Sequence, residues 1–239
     1  MFSAITSICG TQPFNDWFSP DTTQRHPLGV VVDAVDPFWG FGEFIYVKSN
    51  DTILKGSVCM WDEVGQAALL PSTATQGFPF GVAMAPMSSG TYGWLQISGR
   101  AVYKTNATVA ADGVLAIAAA GILGATATGK QVLGIRNRIS ATGTKTQTGQ
   151  TTANSGILYI PAGYDGWFLG MTITGTGIHA STTVIAGLDP DGKRVYTGSA
   201  IGTFGDRNST ATGLVTLTGT YTGYGSGVLA RPSCMMIVT

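Results

Sequence analysis

Apolar residues in this chain fall in short runs rich in Val, Ile, Tyr, Phe and Trp, each closed by Gly, Pro, Asn-Asp or Ser-Ser. Runs of that length and composition between turn residues predict strands joined by tight turns. They place strands at 29–34, 43–48, 56–61, 67–70, 78–85, 92–98, 100–104, 113–117 and 132–138. Gly113 and Gly121 bound the Ala-rich run Val114–Ala120 closely, so it reads as strand plus loop rather than a short helix. A second series follows at 157–160, 167–173, 182–185, 194–197 and 214–218, and the apolar run VLARPSCMMIV closes the chain at 228–238. Asp189-Pro190-Asp191-Gly192 has the composition of a hairpin turn.

Between the two series lies ATGTKTQTGQTTANS, residues 141–155, where nothing apolar exceeds Ala. That composition predicts a linker or an exposed loop. Before the first series, Pro13, Pro20 and Pro27 interrupt residues 1–28, which read as an extended arm. Phe14, Trp17 and Phe18 in that arm cannot build a core of their own. They pack either on the parent domain or on a neighbouring subunit, where aromatic residues concentrate binding energy. The expected organisation is all-β: an arm at 1–28, a β domain over 29–140, a linker at 141–155, a second small β domain over 156–225, and the strand-like run at 228–238 closing the chain.

Composition narrows the function. Of 239 residues, 44% are apolar and only 11% charged, and 13 Lys plus Arg balance 13 Asp plus Glu. An average soluble protein carries about 25% charged residues. Two readings fit: a polar, uncharged β-protein surface, or a surface covered in a permanent assembly. Arg136 and Arg138 are the one close basic pair, so no electrostatic footprint for nucleic acid is present. Cys9, Cys59 and Cys234 are widely spaced in apolar runs and form neither a disulfide framework nor a zinc pattern. The first residues lack the basic start and apolar stretch of a secretory signal, and no run reaches the roughly 20 apolar residues of a membrane helix. The Asn-X-Thr tripeptides at Asn50, Asn106 and Asn208 therefore read as turns.

Candidate chemistry is sparse. His26 and His179 have no Cys, Asp or Glu at ligand spacing. Asp33 and Asp36, Asp62 and Glu63, and Asp189 and Asp191 are close in sequence, but Asp62 and Glu63 on a strand would face opposite sides, and the Asp189 run lacks the later ligands of a calcium loop. Gly124–Lys130 fits GxxxxGK, yet Gln131 stands where Ser or Thr is needed and a strand pattern follows instead of a helix. Gly175–Ala180 fits GxGxxA without a surrounding βαβ unit. Neither a metal nor a cofactor is expected, and the chain does not read as an enzyme.

The segments GEFIYVK at 42–48, Trp61-Asp62, Val82-Ala83 and YGWLQISGRAV at 92–102 resemble, in that order, the head-decoration or cement proteins of tailed bacteriophages. The resemblance spans roughly 42–104 and extends to 226–238, which holds an ARP segment at 230–232, together less than half the chain. It implies a β-barrel or β-sandwich-like decoration domain that ends at the ARP segment, so that 29–140 plus 226–239 form one domain with the 156–225 unit inserted or appended. It also implies a structural role on the capsid exterior: binding the major capsid protein and copies of itself, a trimer before a dimer, without nucleic acid or membrane. Phe14, Trp17 and Phe18 would then be partner-binding residues. The shorter relatives lack the unit at 156–225, whose GMTITGTGI run looks like segments of phage fibres. An alternative follows from that unit: a virion surface module that binds host carbohydrate, with Tyr159, Tyr164, Trp167, Tyr196, Tyr221 and Tyr224 as stacking surfaces. A hydrolase acting on the host envelope is a third reading.

Overall fold

The computed structural model describes residues 3–4, 19–36, 39–73, 78–189 and 191–234. It is all-β, with no helix among the described residues. The first body supplies β1 (Ser3–Ala4), β2 (Val31–Asp36), β3 (Gly40–Ser49), β4 (Val58–Trp61), β5 (Gln66–Leu69), β6 (Phe80–Ala83), β7 (Tyr92–Lys104), β8 (Leu115–Ala119), β9 (Ile122–Ala125) and β10 (Val132–Asn137). The second supplies β11 (Thr142–Thr151), β12 (Ile157–Tyr159), β13 (Thr172–Thr174), β14 (Val184–Leu188), β15 (Arg194–Gly198) and β16 (Gly213–Thr222). The chain then returns to the first body as β17 (Tyr224–Cys234).

In the first body nine strands run in the order β1-β2-β3-β5-β4-β6-β7-β17-β10, and a further β3–β7 pairing closes β3, β5, β4, β6 and β7 into a ring. Closure is possible because β7 is long and changes partners. Residues 92–99 pair with β3, and 98–104 pair with β17. Gly99 marks the switch: its φ is +90°, and a Cβ there would come within 2.1 Å of the Phe41 carbonyl oxygen. The two expected strands at 92–98 and 100–104 are thus one strand bent at a glycine.

Period-two alternation sorts the core. Ile45 and Val47 of β3, Cys59 of β4, Ala83 of β6, and Leu95 and Ile97 of β7 meet inside the ring, joined by Ile53, Ala67 and Met87. Val58 of β4 and Phe80 and Val82 of β6 alternate to the other side, and Ala101 and Tyr103 join them beyond the bend of β7 at Gly99. They build a second core with Leu115, Ile117 and Leu123 of the β8–β9 hairpin and with Val132, Ile135 and Leu229 of β10 and β17. Strands buried on both faces explain why this sequence reads as near-continuous apolar runs. The Ala-rich run is strand β8, as its bounding glycines suggest.

The second body, Thr142–Thr222, is a closed barrel in the order β11-β12-β15-β14-β13-β16. Residues 142–151, expected to be a linker, instead form one of its longest strands, paired over its whole length with β16. Thr142, Thr144, Thr146 and Thr148 stand opposite Thr222, Thr220, Thr218 and Thr216. β-Branched threonine favours strands, and Thr–Thr cross-strand pairs add to them. The hydrophobic signal is missing because this strand turns polar residues to its outer face and Gly143, Lys145, Gln147 and Gly149 to the other.

Trp167–Ile173, expected to be a strand, is mostly a chain of turns with a strand only at Thr172–Thr174. Gly163, Gly166 and Gly170 adopt φ of +84°, +76° and +90°, which breaks any ladder. The segment is apolar because Tyr164, Trp167, Phe168, Leu169 and Met171 plug the barrel. Between β14 and β15 the turn at Asp189–Gly192 makes the expected hairpin, with Asp189 Oδ1 accepting from the Asp191 amide.

Candidate functional site

The densest gathering of polar and aromatic chemistry lies where residues 19–28 meet the outer face of β3 and β7. Alternation turns Ile45 and Val47 into the ring, so Tyr46 points outward, yet it is fully buried. What covers it is the end of the stretch read as an arm. Asp21 exchanges backbone hydrogen bonds with Tyr92, at 2.8 and 2.9 Å, and Gly29 N–H donates to the Tyr46 carbonyl at 2.8 Å. The Tyr46 hydroxyl donates to Asp21 Oδ2 at 2.8 Å and accepts from the Arg25 amide at 3.3 Å. Asp21 Oδ1 meets Arg25 Nε at 3.0 Å.

Aromatic rings close the clasp. His26 stands edge-on to Tyr46 at 5.0 Å and tilted to Trp94 at 5.4 Å, while Tyr46 lies 5.0 Å from Trp94 and stacks on Tyr92 at 6.2 Å. Lys48 Nζ sits 5.8 Å over the Tyr92 ring. Burial first, then the adjoining Asp21, raises the Tyr46 phenol, so it stays a neutral donor. Burial lowers His26 below the usual histidine value, against the pull of Asp21. Among the described residues the site joins a charge pair, an imidazole and three large rings, and the contacts between them fasten residues 19–28 to β3 and β7.

Two of the concavities among the described residues lie elsewhere. One, of about 250 Å³, is lined in the first body by Ile45, Trp61, Phe80 and Ile97. At its rim Arg231 binds the Glu43 carboxylate through two nitrogens, at 2.6 and 3.1 Å. That contact draws Glu43 below the usual carboxylate range. The other, of about 370 Å³, lies in the second body beside Asn154, Ser155, Ile157, Tyr196 and Phe204.

The residues singled out from sequence fall as follows. Phe14, Trp17 and Phe18 lie outside the described residues. Ser3–Ala4 of the expected arm pair with Ala34–Val35 of β2. His26 joins the clasp, whereas His179 Nδ1 accepts from the Ser181 amide within a turn. Asp62 is in a turn, not on a strand, and its Oδ1 accepts from the amides of Val64 and Gln66. Asp189 and Asp191 brace their hairpin: Asp191 Oδ1 accepts from Lys193 and Arg194 amides, and Asp189 Oδ2 from the Tyr196 hydroxyl at 2.7 Å. Gly124–Lys130 runs from β9 into a turn closed by Lys130 N–H on the Ala127 carbonyl. Among the described residues no group of three His, Cys, Asp or Glu is placed to hold a metal.

Of the six aromatics considered as stacking surfaces, Tyr164 and Trp167 are fully buried, and Trp167 Nε1 donates to Gln147 Oε1 at 2.8 Å. They are core. Phe204 was not singled out, since a lone Phe between Gly, Thr and Asp in a loop carries no pattern. No helix among the described residues is long and apolar enough to cross a membrane. No family model, curated protein or solved structure matches this chain.

Proposed function

We propose that this protein is a structural component of a virion, binding the outer surface of a phage capsid and cementing major capsid protein subunits, as a homo-oligomer with a trimer favoured. The observation that carries the reading is the clasp. The segments resembling decoration proteins contribute Tyr46, Tyr92 and Trp94, and these are the residues on which the root of the amino-terminal arm is fastened. Their chemistry is that of attachment. A firmly held attachment at residues 19–28 transmits load to the ring, as a cement protein requires.

The neutral, charge-poor composition agrees with this role, because few charges must be desolvated when faces are covered. Exposed apolar side chains on the first body, including Val31, Val35, Phe41, Phe78 and Val228, are further material for such contacts. The test is occupancy. Deleting residues 2–20 is expected to lower the amount of protein retained on heated particles, and electron cryo-microscopy should place the full chain between capsid subunits on the outside. Unchanged occupancy of the deletion, or density inside the shell or on the tail, would overturn the reading.

A further inference from the structure

The second body carries a side chain whose exposure the barrel does not explain. Phe204 is 52% exposed, and Ile157 beside it 42%. The phenyl ring is nevertheless held in place. The register of β14 against β15 shifts between Ile185 and Gly187, a bulge that brings Gly187 under the ring. A Cβ on Gly187 would come within 2.6 Å of Phe204 Cε1. Tyr196 packs against the same ring edge-to-face, at 5.7 Å and 72°. Tyr196 is itself fixed by its hydroxyl bond to Asp189. Bulges commonly re-aim side chains next to functional sites. Here a bulge, a glycine and an anchored tyrosine together present one phenyl ring, seated on one side and open on the other.

What surrounds the ring is polar and uncharged. Asn154 is exposed with φ of +62°, and its carboxamide has no hydrogen-bond partner among the described residues. Ser155 Oγ accepts from the Ile157 amide at 3.1 Å, leaving its proton to donate. A Cβ on Gly205 would meet nothing within 4 Å, so the backbone there is open to approach. Charges of the adjoining loop and hairpin are engaged: Arg207 pairs with Asp206 at 3.7 Å, the Asp206 carboxylate accepts from the Ser199 amide, and Asp189 accepts from the Tyr196 hydroxyl. A charged ligand therefore gains little. An extended peptide gains little either, because the barrel is closed and offers no strand edge to extend.

We propose that this groove binds one neutral hexopyranose unit of a glycan, with the C–H face of the sugar on Phe204 and its hydroxyls on Asn154 and Ser155. An aromatic face satisfies the apolar side of such a ring, and the amide and hydroxyl satisfy its polar rim. The groove volume suits one sugar with room for its neighbours. A platform held rigid before binding loses little entropy when the ligand arrives. This inference is independent of the capsid reading; either can fail alone.

The test uses the full chain and methyl glycosides of glucose, galactose, mannose and N-acetylglucosamine, followed by saturation-transfer NMR and by the ring resonances of Phe204. At least one glycoside is expected to bind with a Kd on the order of 1 mM, typical of a single weak site. Phe204→Ala should weaken it about tenfold or more, the loss of one aromatic contact, while Phe204→Tyr keeps it. Gly187→Ala should weaken binding by pushing aside a phenyl ring that the variant still carries. The thermal midpoints of the Phe204 variants should match the parent, since the ring is half-exposed. Absence of binding by every glycoside, equal binding by Phe204→Ala, or binding of apolar peptides in their stead would overturn the proposal.

Discussion

The hydroxyl of Tyr46 donates a 2.8 Å hydrogen bond to the carboxylate of Asp21, two residues separated by a proline-broken stretch and joined across the face of the ring. A fully buried phenol with a charged acceptor is a strong neighbour: such bonds contribute about 1.5–3 kcal/mol. Tyr46→Phe keeps the ring stack but removes the donor, and it also deprives the Arg25 amide of its acceptor. The expected outcome is a loss of about 2 kcal/mol in urea unfolding, with faster proteolysis at residues 19–28. Unchanged stability would show that the clasp is held by the rings alone.

His26 gives the clasp a pH dependence. Its folded value lies below the ordinary 6.5, chiefly because burial disfavours the charged ring. The unfolded chain therefore takes up a proton more readily than the folded one, and stability rises with pH through that range. The contribution is complete above pH 6.5 and declines as pH falls below it. NMR titration should place His26 below its model-peptide midpoint, and His26→Gln should flatten that part of the stability profile. A His26 midpoint at or above 6.5 would contradict this.

Two glycines should respond in opposite directions. Gly99→Ala combines a φ of +90° with a collision at 2.1 Å against the Phe41 carbonyl, at the point where β7 changes partners. A loss of about 2–4 kcal/mol is expected, enough to threaten folding of the first body. Gly213→Ala meets nothing within 4 Å and needs no unusual φ. It should be neutral or gain up to about 1 kcal/mol by restricting the unfolded chain. Thermal or denaturant melts of both variants decide the matter; equal effects would mean that the switch at Gly99 is not under constraint.

The sequence exposed the first body well because its strands are apolar on both faces and punctuated by glycine, so β3, β4, β5 and β6 are legible as runs. The second body is written differently. β11 is a polar threonine strand whose register partners run from Thr222, opposite Thr142, to Gly213, opposite Thr151, and no local pattern announces such distant pairing. Trp167 and its neighbours look like a strand because they are apolar, although they are apolar in order to fill a barrel. The clasp was half legible: Tyr46, Tyr92 and Trp94 stood out, but their partner stretch at 21–26 is polar and only folding brings it over them. Phe204 was invisible for a similar reason, since what makes it unusual is the bulge at Gly187 beneath it.

Thr142 and Thr222 are register partners at the two ends of the second body, and one residue outward the Gly223 amide donates to the Ala141 carbonyl at 2.8 Å. The entry and exit of some eighty residues are thus a hydrogen bond apart. A segment with adjoining ends is a cassette. It can be exchanged for another, or for a short turn, at a closure cost that hardly depends on its length. The frame that carries the clasp is therefore free to keep its own sequence constraints while the cassette it bears diverges at a separate pace.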